Sequence, residues 1–237
     1  MKKSHKVLIV TGAAVLAVVA AAAIAGPLIY RDLVAGQAAS APTLSAKEGV
    51  LGGSAVGDAL EPSAVAGEWT VSEGSEAGYR VNEVLNGTDV TVTGRTSDVR
   101  GTFTISEDGK TLSAARIEVD VASIQTDSSS RDSYFRDNAL RTAEHPTATF
   151  TLTKPVTLAE TPKSGDAVQA TAVGDLSIAG TTRSVEAAVQ VQSDGSTGQL
   201  AGSIPITFAD FGVEAPDLGF VKVEPKGAVE FQLNVAH

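Results

Sequence analysis

Residues 167–191 read AVQATAVGDLSIAGTTRSVEAAVQV, and the spacing of their apolar side chains decides the fold. Val168, Ala170, Ala172, Leu176 and Ile178 are separated by even steps, as are Val185, Ala187, Val189 and Val191. Successive side chains of an extended chain point to opposite faces, so this period of two predicts strands with one apolar and one polar face. A helix would repeat its apolar positions at 3.6 residues instead.

The same alternation recurs along the chain. It runs through Val90 and Val92, through Phe103 and Ile105, and through Ile117, Val119 and Val121. It returns at Ala148, Phe150 and Leu152, at Ile204, Ile206 and Phe208, and at Val229, Phe231, Leu233 and Val235. Asn86-Gly87, Glu107–Lys110, Lys163–Asp166 and Ser193–Ser196 interrupt these runs with residues suited to tight hairpin turns. About eight or more mostly antiparallel strands follow, and only residues 130–143 suggest a short helix. The domain is therefore all-β, a closed barrel or a sandwich. Its apolar face is rich in Val and Ala and poor in aromatics, which suits a ligand-holding barrel and a filled core alike.

The start of the chain has another composition. MKKSHK precedes an uncharged run from Val7 to Tyr30, which as a helix would extend about 36 Å and could span a hydrocarbon core of roughly 30 Å. Lys2, Lys3 and Lys6 stand before it, so the positive-inside rule places the N-terminus in the cytoplasm and the rest outside. Ala23 to Ala25 also form a small-x-small cleavage motif, and a cut there would make the run a signal peptide and the product secreted. The run's length and its continuation through Leu28, Ile29 and Tyr30 favour a retained single-pass anchor. Residues 31–66, rich in Ala, Gly, Ser and Pro, are expected to form a flexible linker. Residues 67–237 form the folded domain.

Composition excludes several functions. The chain has no cysteine, so thiolate chemistry and disulfides are ruled out. His5, His145 and His237 are scattered without ligand spacing, and no metal site is expected. From residue 67 onward 13 Lys and Arg face 24 Asp and Glu, a formal charge of −11 that disfavours nucleic acid. No Gly-x-Ser-x-Gly elbow occurs, and Glu118 and Asp120 lie on the polar side of an alternating run, so no catalytic group is expected. The Asn86-Gly87-Thr88 sequon is explained by its hairpin turn.

One long connection, between Ile124 and Thr147, stands out, because loops of that length carry function or stay disordered. Tyr134, Phe135, Ala139 and Leu140 fall on one side of its helical stretch, and Arg131, Asp132, Arg136, Asp137 and Arg141 around the other. A short lid over one barrel end fits, with Tyr134, Phe135 and Leu140 as gate residues.

IEVDVASIQTDSSSRDSYFRDNALRTAEHPTATFTLT, residues 117–153, resembles the YceI-like, polyisoprenoid-binding family at Ser123, Ile124, Thr126, Arg131, Asp132, Leu140, Pro146, Thr147 and Phe150. Gly174, Leu176, Ile178, Gly180 and Thr182 are similar to a second motif of that family. Asp210, Phe211 and Gly212 resemble a third. Val81, Asn82 and Glu83 stand where many members carry a histidine. The resemblance covers about residues 68–236 and implies a bacterial envelope protein with an extended lipocalin-like barrel, whose interior takes a long isoprenoid chain. Arg131, Asp132, Pro146, Gly180, Asp210, Phe211 and Gly212 then read as structural motif residues.

The expected function is a membrane-tethered, extracytoplasmic protein that sequesters or carries an apolar lipid of quinone or polyprenyl type, without any cofactor. Interior candidates, chosen by strand face, are Val92, Phe103, Ile105, Val119 and Val121, with Phe150, Leu152, Phe208 and Phe231. The alternative is an envelope interaction module with a filled barrel and an unknown protein partner.

Overall fold

A computed structural model describes residues 38–44 and 57–237. The anchor or signal peptide expected over residues 1–30 lies outside the described residues. Among the described residues no helix is long and apolar enough to cross a membrane.

The architecture follows from one long strand. β1 (Gly67–Leu85) turns at Asn86-Gly87 into β2 (Thr88–Thr96), and the chain continues in β3 (Val99–Ile105). Asn86 at φ 49° and Gly87 at φ 79° supply the two left-handed positions of a type I′ turn, whose twist matches that of the strands it joins. The later part of β1 pairs with β2, Leu85 opposite Thr88 and Ala77 opposite Thr96. Its first residues pair with β3, Thr70 opposite Thr102 and Gly67 opposite Ile105. β2 and β3 are thus two parts of one returning arm.

The circuit continues through β4 (Thr111–Asp120), β5 (Thr147–Leu152), β7 (Val168–Ile178), β8 (Thr181–Ser193), β9 (Thr197–Thr207) and β10 (Val221–Ala236), with the two-residue β6 (Val156–Thr157) beside β4. β10 pairs with both β9 and β1, which closes an antiparallel barrel of eight strands. Closure leaves no free edge in the circuit. The fold is all-β and lipocalin-like, with a short helix in one loop.

Register carries the apolar faces around the barrel. Trp69 lies opposite Phe103, Phe103 opposite Ala115, Ile117 opposite Phe150 and Phe150 opposite Leu176. Ala172 faces Ala187, Val191 faces Leu200, and Leu200 faces the fully buried Leu233. Every one of these positions points inward, because pairing keeps side chains of opposed residues on one side of the sheet.

Two expectations are corrected. The Lys163–Asp166 turn makes no hairpin, because it lies in the connection between β6 and β7, which do not pair with each other, and there it receives residues that precede β1. Gly57 N and Leu60 N donate to the Ser164 and Pro162 carbonyls at 3.0 Å each. Residues 57–66, assigned to a flexible linker by composition, therefore belong to the domain, and α1 (Pro62–Val65) caps a barrel end with Val65 buried. Trp69 Nε1 donates to Val65 O at 2.8 Å and fixes that cap. Two apolar anchors, Leu60 and Val65, suffice here because the barrel supplies the rest of the apolar surface.

A short stretch nearer the N-terminus is also docked. Ala39 N donates to Thr93 Oγ1 at 2.9 Å, and Ala39 O accepts from Arg80 Nη2 at 2.6 Å. Beneath this strap the buried Glu230 carboxylate on the outer wall pairs with Arg80 at 2.7 Å and with Arg95.

Candidate functional site

The barrel interior holds a cavity of about 230 Å³. Its wall is apolar apart from Thr149 and a rim that includes Lys110, Gln192 and Ser193. Along β7 the lining runs from Val168 to Ile178. Ten residue steps give about 33 Å of strand, or a depth of about 25 Å at the tilt of a small barrel.

Aromatic rings approach glycines of the neighbouring strand closely, in space that a side chain there would take. A Cβ on Gly174 would meet the Phe150 ring at 2.4 Å, and one on Gly202 would meet Phe231 Cζ at 2.7 Å. Only hydrogen at those positions leaves room for the rings where they stand. Ala172 and Ala187, paired across β7 and β8, add a stretch of wall with almost no side chain. Substituting any of these four small residues with a larger one would consume lumen volume.

The two ends differ. At the end where β1 begins, the cavity reaches Gly109, Lys110, Leu158, Pro162, Gln192 and Ser193, beside α1. At the opposite end the lumen stops against Val121, Ile124, Leu140 and Phe211, all buried in the main core. These residues come from the long connection and from the turn after β9, so the expected lid is a plug.

The plug is tied to the wall through charges. The long connection forms α2 (Ser129–Tyr134), followed by one wider turn over Phe135–Ala139. Asp132 is buried and accepts from Thr126 N at 2.9 Å and Thr126 Oγ1 at 2.7 Å. Arg131 reaches the buried Glu83 on β1 at 3.0 Å and also pairs with Asp127. Burial alone would lower the Arg131 pKa, but Glu83, with help from Asp127, outweighs it and raises it. Phe135 stacks on Tyr79 with ring centroids 4.9 Å apart. Burial pushes the Tyr79 phenol well above its ordinary range, with the Arg131 charge offsetting only part of that effect.

Of the interior candidates, Phe103, Ile105, Val119, Phe150, Leu152 and Phe231 line the cavity. Three lie elsewhere. Val92 joins Val81 and Val90 in a small satellite cluster, against which Phe208 packs, and Val121 sits in the plug. Leu140 is buried in the plug, Phe135 stacks there and Tyr134 is half-buried beside them.

The motif residues hold this end together. Pro146 O accepts from Val121 N at 2.9 Å. Gly180 forms the β7–β8 turn, where a Cβ would strike the His145 ring. Phe211 is buried, while Asp210 is exposed in the same turn and Gly212 ends it at φ 70°. Sequence reasoning missed Trp69, Ala172 and Ala187 as lining and Tyr79 as the partner of Phe135. The interior glycines Gly94, Gly174 and Gly202 were the available signal, since glycine within a strand often marks a close approach.

An eight-stranded barrel with an apolar lumen, plugged at one end and rimmed with polar groups at the other, is a lipocalin-like binding barrel. Residues 69–235 match the YceI-like domain family, and the chain belongs to that family.

A UPF0312 protein of Pseudomonas aeruginosa is 29% identical over 133 residues, which cover 53% of this chain and 65% of that protein. The chain thus spans about 65% of the length of the curated relatives it matches. A polyisoprenoid binding domain from Saccharophagus degradans, implicated in plant cell wall breakdown, shares the fold at a TM-score of 0.56 and 20% identity, covering 72% of this chain and 98% of that one. BcnA of Burkholderia cenocepacia aligns with a TM-score of 0.54 and 21% identity over 68% of this chain and 96% of its own.

Proposed function

We propose that the barrel sequesters or carries a single long apolar lipid, of quinone or polyprenyl type, in its lumen, on the extracytoplasmic side of a bacterial membrane that holds the chain through residues 7–30. The observation that carries this reading is the deep apolar lumen, lined almost wholly by apolar side chains. The name of the Saccharophagus degradans neighbour, a polyisoprenoid binding domain, supports it. Each CH₂ withdrawn from water contributes about 0.8 kcal/mol, so ten buried carbons supply about 8 kcal/mol before association costs. The isoprenoid tail would occupy the lumen, and the polar head would meet the rim of Lys110, Gln192 and Ser193. A filled interaction module, the competing reading, would leave no such space.

Trp69 is the sole tryptophan of the chain and lines the cavity. A long-chain quinone entering the lumen should therefore quench its fluorescence saturably with one site per chain. A quinone headgroup analogue without the tail should not. Absence of saturable quenching by any long-chain quinone or competing polyprenol would refute the proposal.

A further inference from the structure

Among the described residues three large apolar side chains stand exposed: Val84, Leu218 and Phe220, the last two at 54% and 58%. They gather at one tip of the molecule, the plugged end. Val84 is paired with Lys222, Asn86 N donates to Phe220 O at 2.8 Å, and Leu218 N donates to Val221 O at 2.8 Å. Three side chains fall far short of the roughly 800 Å² per partner of a stable protein interface. They match the shallow apolar insertions by which proteins rest on a lipid surface. Asp217 and Lys222 flank the tip 3.7 Å apart, and the exposed Asp89 lies opposite Val84, so no basic cluster selects anionic lipid.

The covalent path of the chain brings a membrane to this tip. Ala39 is docked at Arg80 and Thr93, each six residues from the Asn86-Gly87 turn, so the strap's contact lies about 20 Å above that turn. Only residues 31–37 separate the apolar run from the strap, a leash of about 25 Å at full stretch. A free linker of 36 residues would set no such limit. With the strap docked, the leash is about as long as the height of the strap above the tip.

We propose that the tip formed by Val84, Leu218 and Phe220 rests in the headgroup boundary of a zwitterionic phospholipid bilayer, so that the barrel stands plug-down with the rim of its lumen facing away from the membrane. This rests on the reading of residues 7–30 as a retained anchor. It means that lipid is exchanged at the rim with a partner or particle outside, rather than drawn straight up from the bilayer below.

The chain contains no cysteine, so single nitroxide labels can be placed cleanly. Full-length protein carrying Phe220→Cys, Lys163→Cys or Val18→Cys is labelled, reconstituted in phosphatidylcholine vesicles and power-saturated against oxygen and a water-soluble nickel chelate. The expected result is nickel access several-fold lower at 220 than at 163, which lies at the rim end, with 18 fully shielded. A label at Leu218→Cys should repeat it with Phe220 intact. A label at 220 as open to nickel as that at 163, with 18 shielded, would overturn tip docking and leave the anchor standing. Nickel reaching 18 would remove the anchor, and this proposal with it. Spin–spin broadening between labels at 220 would reassign the tip to contact between copies and overturn the lipid reading.

Discussion

Replacing Ala187 with phenylalanine separates a hollow barrel from a filled one. Ala187 is 2% exposed, faces Ala172 across β7 and β8, and lines the lumen. In a filled core an added phenyl ring forces neighbours off their rotamers and costs about 1–3 kcal/mol. In the lumen described here it moves into open apolar space and contributes about 1–2 kcal/mol from its own burial. The two cases differ in sign. Urea denaturation of lipid-free protein reads the difference directly, and delipidation matters because bound ligand stabilises the native state by mass action. The predicted outcome is a higher midpoint with an unchanged urea dependence, together with at least a tenfold loss of long-chain quinone affinity. A destabilisation of 1–3 kcal/mol with quinone binding intact would refute the reasoning about the lumen.

Other consequences concern the plug and the wall. Arg131→Ala leaves the Glu83 carboxylate, 4% exposed, without its guanidinium. A loss of about 2–4 kcal/mol is expected in denaturation, discounted from a fully buried pair because Arg131 is partly solvated, and Glu83→Gln on the same background should restore part of it. Asp132→Ala removes the acceptor of two hydrogen bonds from Thr126 and should speed amide exchange in residues 124–134 while costing about 2–3 kcal/mol. Tyr79 titrates above its ordinary value of 10.0 in the fold. Its contribution is complete below about pH 10 and fades as pH rises toward the folded-state value. Alkaline unfolding should therefore be shallower in Tyr79→Phe, as circular dichroism between pH 9 and about 12 would register.

The strands were legible because side-chain alternation is a local property of extended chain, and the lining residues Phe103, Val119, Phe150 and Phe231 follow from it. What alternation cannot convey is height along the barrel. Val92 has the correct face but sits on the arm beyond the closed circuit, and Phe208 begins a turn in which the chain has already left β9. The docked residues 57–66 were hidden because their few apolar groups gain burial only from a surface built by distant strands. The plug was recognisable from Tyr134, Phe135 and Leu140, yet its partner Glu83 lies 48 residues from Arg131 and no local pattern joins them. The glycines that Phe150 and Phe231 approach are single residues in alternating runs; Gly202 lies opposite Phe231, whereas Gly174 lies opposite Leu152 and meets Phe150 only diagonally, so no local pattern names their partners.

The central claim is that the lumen carries an isoprenoid lipid. Full-length protein purified from a bacterial membrane in a mild detergent, released from it in the gas phase and weighed by native mass spectrometry, tests that claim most directly when the same sample is solvent-extracted and its lipids analysed. The account predicts one isoprenoid molecule per chain, retained by the wild type and missing from Ala187→Phe. Protein that is uniformly empty, and that stays empty after incubation with long-chain quinones and polyprenols, would contradict it.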